Sequence, residues 1–278
     1  MFFEKKPWTA EQLAVDLRAA GITTGTNVIL HSSLKSVGPV EHGPATILEA
    51  LLQAIGPTGN LLVPTFTYSR PDWKSDPFDH ARSPARTGTI PEFIRKDPRA
   101  IRSFHPTHSV AVIGPDAETI TENHMNYTAL GAGSPFDRMR QRNATILMLG
   151  TFQDTNSSLH LCEVLAGLPY VKIPFTENAE FEMAWYHGSR GEIEFLPVRE
   201  VPGCSRGFRA IEPELISRGI LRPARVGNAS CQVLSLPQLV DATKEILRLA
   251  PTLLLCHNEH CAICPRRRRM MESLSNSD

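Results

Sequence analysis

The stretch that decides the fold is Asn27-Val28-Ile29-Leu30-His31-Ser32-Ser33-Leu34, followed by a helical segment at 44–55 and by Leu61-Leu62-Val63-Pro64-Thr65. The two apolar runs have the length and composition of buried strands. Gly56-Pro57 ends the helix between them. A strand, a helix and a second strand in this order indicate an α/β fold with a substantially parallel sheet.

The rest of the chain continues this alternation with one long interruption. The pattern predicts helices after Thr9 and over 116–123, 207–218 and 236–249, and strands over 109–114, 146–150, 181–185, 193–197 and 231–234. Residues 66–107 are rich in proline and aromatic side chains and predict an irregular insertion, a kind of segment that is usually functional. We expect one domain over 1–250 with a mixed, partly parallel sheet flanked by helices. A tail rich in Cys, His and Arg follows over 251–278.

Composition narrows the class of protein. The 278 residues include 29 basic and 29 acidic side chains, so no overall field favours nucleic acid or an anionic membrane. No apolar run approaches the roughly 18 residues of a membrane span. The amino terminus lacks the layout of a signal peptide. We therefore expect a cytoplasmic protein that binds small molecules.

The segment from Thr155 to Glu163 carries the clearest chemical signal. It follows a predicted strand and opens a predicted helix, on which His160 and Glu163 are neighbours at i and i+3. Asn156 and Ser157 are good helix N-cap residues, and N–H groups at a helix start favour anionic oxygens. A base, a carboxylate to orient it and an anion-binding helix start suit acyl transfer.

Two further segments resemble known binding motifs. The loop from His31 to Gly38 follows a strand, where ligands bind in open α/β sheets, although a plain polar connection has the same composition. It is neither a phosphate-binding Walker loop nor a dinucleotide-binding glycine motif. The segment from Gly203 to Gly207 matches the elbow of serine hydrolases around Ser205. The only later histidines lie in the tail, so we expect no nucleophile there.

The tail concentrates metal-binding side chains. Cys256, Cys261 and Cys264, together with His260, would make a tetrahedral set for a structural zinc ion. Free thiols explain the same residues. An iron–sulfur cluster is disfavoured because no fourth cysteine follows in the tail.

The order and spacing of these segments resemble the aminoglycoside 3-N-acetyltransferase family, which has the antibiotic N-acetyltransferase fold rather than the GNAT fold. The resemblance runs from about Val28 to Gly227 and rests on seven short segments: 31–34 with 37–38, 64–65, 102–109, 130–135, 149–150, 157–163 and 226–229.

The resemblance implies a cleft that holds acetyl-CoA as co-substrate. Residues of the first loop and of the Arg-Ser-x-His-Pro segment are then expected to line it: His31, Ser32, Ser33, Leu34, Lys35, Ser36, Val37, Arg102, Ser103, His105 and Ser109. By the same resemblance His160 is the general base, Glu163 orients it, and Ser157 holds the thioester oxygen as it becomes an oxyanion.

The acceptor implied by the family is an amine of an aminoglycoside, acetylated at its 3-amino group, with a role in antibiotic resistance. We expect the contacts to come from carboxylates and aromatic rings: Tyr68, Trp73, Asp79, Glu182 and Trp185. An aromatic pocket would instead suit another amino sugar or a biosynthetic amine. A module that binds CoA or metal without catalysis is the third interpretation, and a homodimer is compatible with each.

Overall fold

The computed structural model describes residues 6–67 and 74–275. Its centre is a seven-stranded sheet in the order β3-β4-β2-β1-β5-β9-β8, beside a separate hairpin of β6 and β7. The strands are β1 (Val28–Ser32), β2 (Leu61–Pro64), β3 (Ile101–Arg102), β4 (Val110–Ile113), β5 (Thr145–Leu149), β6 (Glu182–His187), β7 (Ile193–Val198), β8 (Leu221–Val226) and β9 (Ala229–Ser235). β1 pairs in parallel with β2 and β5, and the other pairs are antiparallel. The predicted mixed sheet is confirmed.

Helices cover both faces of the sheet. They are α1 (Ala10–Ala19), α2 (Leu34–Val37), α3 (Pro44–Ile55), α4 (Thr89–Arg95), α5 (Ala117–Thr121), α6 (Pro135–Gln141), α7 (Ser158–Leu165), α8 (Glu212–Ser217), α9 (Leu236–Leu249) and α10 (Cys264–Ser275). Short 3-10 helices lie at His124–Asn126, Gln153–Thr155, Pro169–Lys172 and Phe208–Ile211. Within the described ranges, no helix is long and apolar enough to cross a bilayer.

The alternation of side chains along β1 decides which residues can reach the site. Val28 and Leu30 pack into the apolar core that contains α1 and α3, whereas Ile29 packs into the core that contains α7 and α9. Because side chains alternate along a strand, His31 lies on the same face as Ile29. The strand therefore directs His31 toward the side of the sheet that holds α7.

Several elements follow the sequence closely. Helix α3 has the predicted bounds, and Thr9 caps α1 through a reciprocal pair of hydrogen bonds with Gln12. The insertion at 66–107 is less irregular than expected, because α4 and β3 form within it. Strand β8 was not predicted; it has the sequence Leu-Arg-Pro-Ala-Arg-Val and lies at the sheet edge. An edge strand tolerates proline and polar side chains, which hides it in the sequence.

The tail is packed against the rest of the molecule. Leu254, Leu255 and Ile263 are buried in the core that contains α7 and α9. Helix α10, which the sequence analysis missed, begins at Cys264, and its Arg267 is only 1% exposed. The described part of the segment that the sequence marks as a basic tail, residues 251–275, is therefore packed onto the core, and residues 260–262 line the cavity.

Candidate active site

A cavity of about 810 Å³ opens where the carboxyl ends of β1 and β5 lie side by side. Its wall includes His31 and Ser32 at the end of β1, and Ser157 and His160 at the start of α7. In an open α/β sheet this is the edge at which ligands bind, because loops leave the strands there in diverging directions. The loop after β1 and the segment after β5 were predicted separately, and the parallel pairing brings them together.

His160 is held by a buried carboxylate. Its Nδ1 donates to Glu163 Oε2 at 2.7 Å, and Glu163 is 2% exposed. The Tyr170 hydroxyl donates to the other carboxylate oxygen at 2.8 Å. Burial, and then the adjacent Glu163 carboxylate, raise the pKa of Tyr170 far above its usual range, so this hydroxyl stays a donor. The pair fixes the tautomer of His160 with the proton on Nδ1 and leaves Nε2 as the basic nitrogen.

Packing also fixes the plane of the His160 ring. Phe208 contacts it edge to face, with 4.7 Å between ring centroids. The helical spacing of i and i+3 explains why the imidazole and Glu163 meet. His160 is 7% exposed and lines the cavity. The arrangement can therefore accept a proton from a bound amine without reorganising.

The start of α7 differs in detail from the expectation. The Asn156 side chain accepts the backbone N–H of Ser158 at 3.0 Å, whereas the Ser157 side chain makes no capping bond. Ser157 is half-buried and lines the cavity, and its hydroxyl makes no hydrogen bond within the described part of the chain. Because Asn156 makes the capping bond, the Ser157 hydroxyl is available to a ligand.

The end of β1 carries two buried polar atoms without a partner among the described residues, His31 Nε2 and Ser32 Oγ. Burial lowers the pKa of His31 to about 3, so the imidazole is neutral at physiological pH. An unsatisfied buried polar group costs about 1–3 kcal/mol. A ligand that hydrogen-bonds these two atoms would remove that cost.

Most predicted binding residues of the loop after β1 do not line the cavity. Ser36 donates to Ser33 Oγ at 2.9 Å, and the carbonyl of Gly150 lies 3.1 Å from the same hydroxyl. Val37 is fully buried in the core with α1 and α3, and Lys35 is exposed to solvent. Leu34 packs against the same core. Of this loop and the strand before it, only Leu30, His31 and Ser32 line the cavity.

The Arg-Ser-x-His-Pro segment is buried beneath the cavity. Arg102 donates to the carbonyls of His80 and Ser83, both at 2.8 Å, and burial lowers its pKa to about 10. Ser103 bonds His124, and Ser109 donates to the Thr65 carbonyl at 2.9 Å. None of the predicted contacts in this segment lines the cavity, which is reached instead by its neighbours Thr107 and His108.

Three histidines beside the cavity floor form a buried group, namely His105, His108 and His124. The rings of His105 and His124 lie 4.7 Å apart, and those of His105 and His108 lie 6.0 Å apart. Burial, aided by the neighbouring imidazoles, lowers the pKa of His105 and His108 well below the usual value. Burial lowers the pKa of His124 to about 4. These rings are neutral hydrogen-bonding groups.

The predicted acceptor contacts are dispersed. Glu182 lines the cavity and accepts from Thr176, from the backbone N–H at 2.9 Å and the hydroxyl at 2.7 Å. Asp79 instead caps a turn by accepting the N–H groups of Ala81 and Arg82. Trp185 packs against Phe195 with 5.7 Å between centroids and does not line the cavity. The predictions for Tyr68 and Trp73 lie outside the described residues.

One acidic residue of the cavity was missed by the sequence analysis. Asp154 lines the wall from the 3-10 helix between β5 and α7. Nothing in its local pattern distinguishes it from any polar loop residue, and only its distance of a few positions from Ser157 along the chain points to the site. Among the described residues of this wall, Asp154 and Glu182 supply carboxylates and Arg206 supplies a guanidinium.

Three of the four predicted metal ligands lie in one cluster of sulfurs. The sulfurs of Cys204, Cys256, Cys261 and Cys264 lie within 4.8 Å of one another. Cys204 was not predicted as a member, and His260, which is exposed and lines the cavity, lies outside this cluster. Cys204 could not be assigned to this cluster from the sequence because it lies 52 positions before Cys256. The neighbouring Ser205 follows no strand directly, since β7 ends at Val198, so the elbow of serine hydrolases is absent from this described loop.

A family model described as aminoglycoside 3-N-acetyltransferase matches residues 29–248. The chain belongs to this family. Aminoglycoside N(3)-acetyltransferase III from Salmonella sp is 31% identical over 257 residues, which cover 84% of this chain and 88% of that protein.

Solved structures of the aminoglycoside 3-N-acetyltransferase family share the fold. The binary complex of AAC-IIIb with CoASH has a TM-score of 0.78 and 27% identity, and covers 88% of this chain and 98% of its own. A histidine-to-alanine mutant of aminoglycoside acetyltransferase AAC(3)-IVa, in complex with a gentamicin, has a TM-score of 0.84 and 27% identity. That match covers 96% of this chain and 99% of its own. The chain is therefore an acyl-CoA-dependent N-acetyltransferase by class.

Proposed function

We propose that this chain transfers the acetyl group of acetyl-CoA to the 3-amino group of an aminoglycoside, with His160 as general base. The observation that carries the proposal is the hydrogen-bonded series Tyr170, Glu163 and His160 at the wall of the 810 Å³ cavity. It gives an imidazole whose Nδ1 is held and whose Nε2 is left to act on a ligand.

The amine reacts in its neutral form. As its nitrogen forms a bond to the thioester carbonyl carbon, His160 Nε2 accepts one of the protons on that nitrogen. The carbon–sulfur bond then breaks, CoA leaves as the thiolate, and the imidazolium returns the proton to that sulfur. Glu163 stabilises the imidazolium during the step because its carboxylate remains 2.7 Å from Nδ1.

The oxyanion that forms on the carbonyl needs a donor. Ser157 is adjacent to the start of α7, lines the cavity and has its hydroxyl uncommitted within the described chain. A single preorganised donor of this kind typically contributes about 3 kcal/mol. We assign this role to Ser157.

The unpartnered atoms His31 Nε2 and Ser32 Oγ support cofactor binding at the end of β1. We assign them to the polar part of acetyl-CoA nearest the thioester. The predicted residues of the Arg-Ser-x-His-Pro segment support the site indirectly. Their hydrogen bonds hold the segment that carries Thr107 and His108 to the cavity; they are Arg102, Ser103, His105 and Ser109.

The acceptor is proposed to be polycationic because Asp154 and Glu182 lie in the same wall. AAC(3)-IVa has been captured with a gentamicin. The rival, an aromatic pocket for a less charged amine, loses support because Trp185 packs outside the cavity. The sulfur cluster lies at the edge of the wall, and we assign it no step of the transfer.

The test follows release of free CoA thiol from acetyl-CoA with gentamicin and, separately, with glucosamine as a simple amino sugar. We expect turnover with gentamicin, one added acetyl mass, and acetylation at the 3-amino group by nuclear magnetic resonance. Turnover with glucosamine and none with gentamicin would move the enzyme to the rival acceptor class.

The acidic wall has its own test. Glu182→Gln and Asp154→Asn should each raise KM for gentamicin about 10-fold, the equivalent of about 1.4 kcal/mol, and leave KM for acetyl-CoA unchanged. Glu194→Gln is the matched control, because Glu194 accepts a tyrosine hydroxyl on the β6–β7 hairpin outside the cavity. An equal rise in KM for all three variants would refute the assignment.

A further inference from the structure

Four cysteine sulfurs converge beside the cavity from two distant parts of the chain. Cys204 comes from the loop before the 3-10 helix at Phe208–Ile211, and Cys256, Cys261 and Cys264 come from the tail. All six cysteines of the chain are free thiols, and this group holds four of them. Such a concentration in a wall region is unexpected for ordinary packing, in which cysteines are scattered.

The distances between the sulfurs match one kind of site. The sulfurs of a tetrahedral zinc site with Zn–S bonds of about 2.3 Å lie about 3.8 Å apart. Cys204 Sγ and Cys256 Sγ are 3.8 Å apart, and the whole set lies within 4.8 Å. A disulfide would require a separation of about 2.05 Å and would leave two thiols over. We propose that these four thiolates bind one Zn²⁺ ion.

The backbone around the sulfurs suits thiolates. The N–H of Arg206 donates to Cys204 Sγ at 3.4 Å. Hydrogen bonds of this kind orient metal ligands and lower their charge density. Zn²⁺ with four thiolates carries a net charge of −2, and binding releases the four thiol protons to solvent.

One cationic side chain of α10 lies next to this negative charge. Arg268 donates to the carbonyl of Cys256 at 2.9 Å, so its guanidinium is held beside one of the ligands. Arg266 instead donates to the carbonyl of Pro174 at 2.7 Å. Within the run Arg266–Arg269, Arg268 therefore has a local electrostatic role.

The two glycines of the Gly203–Gly207 segment are explained by the same contact. A Cβ on Gly207 would lie 2.5 Å from the Leu254 carbonyl oxygen and 2.8 Å from the Cys256 nitrogen. A Cβ on Gly203 would lie 2.4 Å from the Arg267 guanidinium. The motif that mimics a serine hydrolase is thus a loop pressed against the tail, and it presents Cys204 to the other three sulfurs.

The metal would tie the tail to the wall of the cavity. Cys204 and Cys261 line the cavity themselves, and Cys264 is the first residue of α10. One turn later, Arg267 lies over the Tyr170 ring at 5.3 Å, and Tyr170 holds Glu163. The zinc is therefore structural: it positions α10 and the loop at 203–206, and through them the acceptor side of the site.

The first experiment measures metal in the full chain, purified without chelator and without a histidine tag. We expect about one zinc per chain by mass spectrometry, released when a mercurial reagent titrates the thiols. Cys204→Ser should lose the zinc, whereas His260→Ala and the core control Cys231→Ala should keep it. Zinc that survives Cys204→Ser and is lost from His260→Ala would overturn the ligand set.

A second measurement needs no variant and covers the case in which Cys204→Ser does not fold. Co²⁺ exchanged into the wild-type chain should give the intense visible absorption of a tetrahedral site with four sulfur ligands. A spectrum typical of three sulfurs and one nitrogen, or binding of neither Zn²⁺ nor Co²⁺ by the reduced protein, would refute the proposal.

The structural role predicts a separate effect on stability. Removing zinc with a chelator should lower the Tm by more than about 5 °C, and adding one equivalent should restore it. Metal content and Tm are read without any acceptor, so these results stand whether or not the proposed acetyl transfer is correct. An unchanged Tm after complete removal of zinc would refute the structural role.

Discussion

His160 and the group His105, His108 and His124 are built from the same side chain and lie around the same cavity, yet their surroundings differ. His160 has a carboxylate on Nδ1. The members of the group of three instead bond hydroxyls, a carbonyl and backbone N–H groups. A carboxylate partner stabilises the protonated ring, whereas burial without one keeps the ring neutral. The hydrogen-bond partner of the imidazole therefore decides whether a histidine can act as a base or serves as a neutral structural residue.

The largest effect that tests this comparison concerns folding in acid. Burial depresses the native pKa of His31 to about 3 and of His124 to about 4, while the unfolded value is near 6.5. The unfolded state binds more protons between those limits, so stability is complete above about pH 7 and falls as the pH drops. From pH 7 to pH 5 these two residues alone should remove about 4 kcal/mol of unfolding free energy. Urea unfolding at each pH measures it.

Buried histidines and ion-paired carboxylates lose their contributions to stability in different pH ranges. Hydrogen bonds from Arg95 outweigh partial burial and lower the pKa of Glu92 to about 2, so its contribution is lost only below about pH 4.5. His124→Gln should flatten the slope between pH 6.5 and pH 4 by about one proton. An equally steep slope in the variant would show that this buried histidine is not neutral in the native state.

The second effect concerns His160 itself. His160→Ala should lower kcat by about 10² to 10⁴, because a positioned general base typically contributes that factor. Acetyl-CoA affinity, measured by calorimetry, should remain within about 2-fold because the ring is assigned to the acceptor amine. A kcat within a few-fold of wild type would refute the general-base role.

Glu163→Gln should have a smaller effect, about 10- to 10²-fold in kcat. The amide cannot stabilise the imidazolium and can bind the wrong tautomer of the ring. Steady-state kinetics measure the loss, and Glu194→Gln serves as the control because Glu194 accepts the Tyr186 hydroxyl without a histidine partner. Equal losses in the two variants would mean that Glu163 supports the fold and not the base.

Tyr170→Phe should have the smallest effect. It removes one hydrogen bond to the Glu163 carboxylate, worth about 1 kcal/mol, and should lower kcat about 3- to 10-fold with little change in KM. Tyr186→Phe removes the equivalent bond outside the cavity and should leave kcat unchanged. A pH–rate profile that keeps its shape in Tyr170→Phe would show that Tyr170 does not act through Glu163.

Much of the frame is readable in the sequence because its signals are local. Helix α3 begins at a proline and ends at a glycine, and the apolar runs of β1, β2 and β5 are bounded by turn residues. The pair of His160 and Glu163 lies within one helical turn, so its spacing alone predicts the contact. Strand β8 was not predicted because it is a polar edge strand, and helix α10 was not predicted because it has few apolar side chains.

The sequence by itself therefore determined the α/β class and the pair on α7, since these depend on residues a few positions apart. It also determined the family, since the order and spacing of short segments along the chain are read without the fold. The tertiary structure decided which side chains share a cavity. It placed Asp154 in the cavity wall. It placed Asp79 in a turn and packed Trp185 against Phe195, both outside the cavity. It also brought Cys204, and not His260, next to the sulfurs of the three tail cysteines. The physical reason is that strand pairing and loop packing join positions dozens of residues apart, and no local period or spacing encodes those contacts.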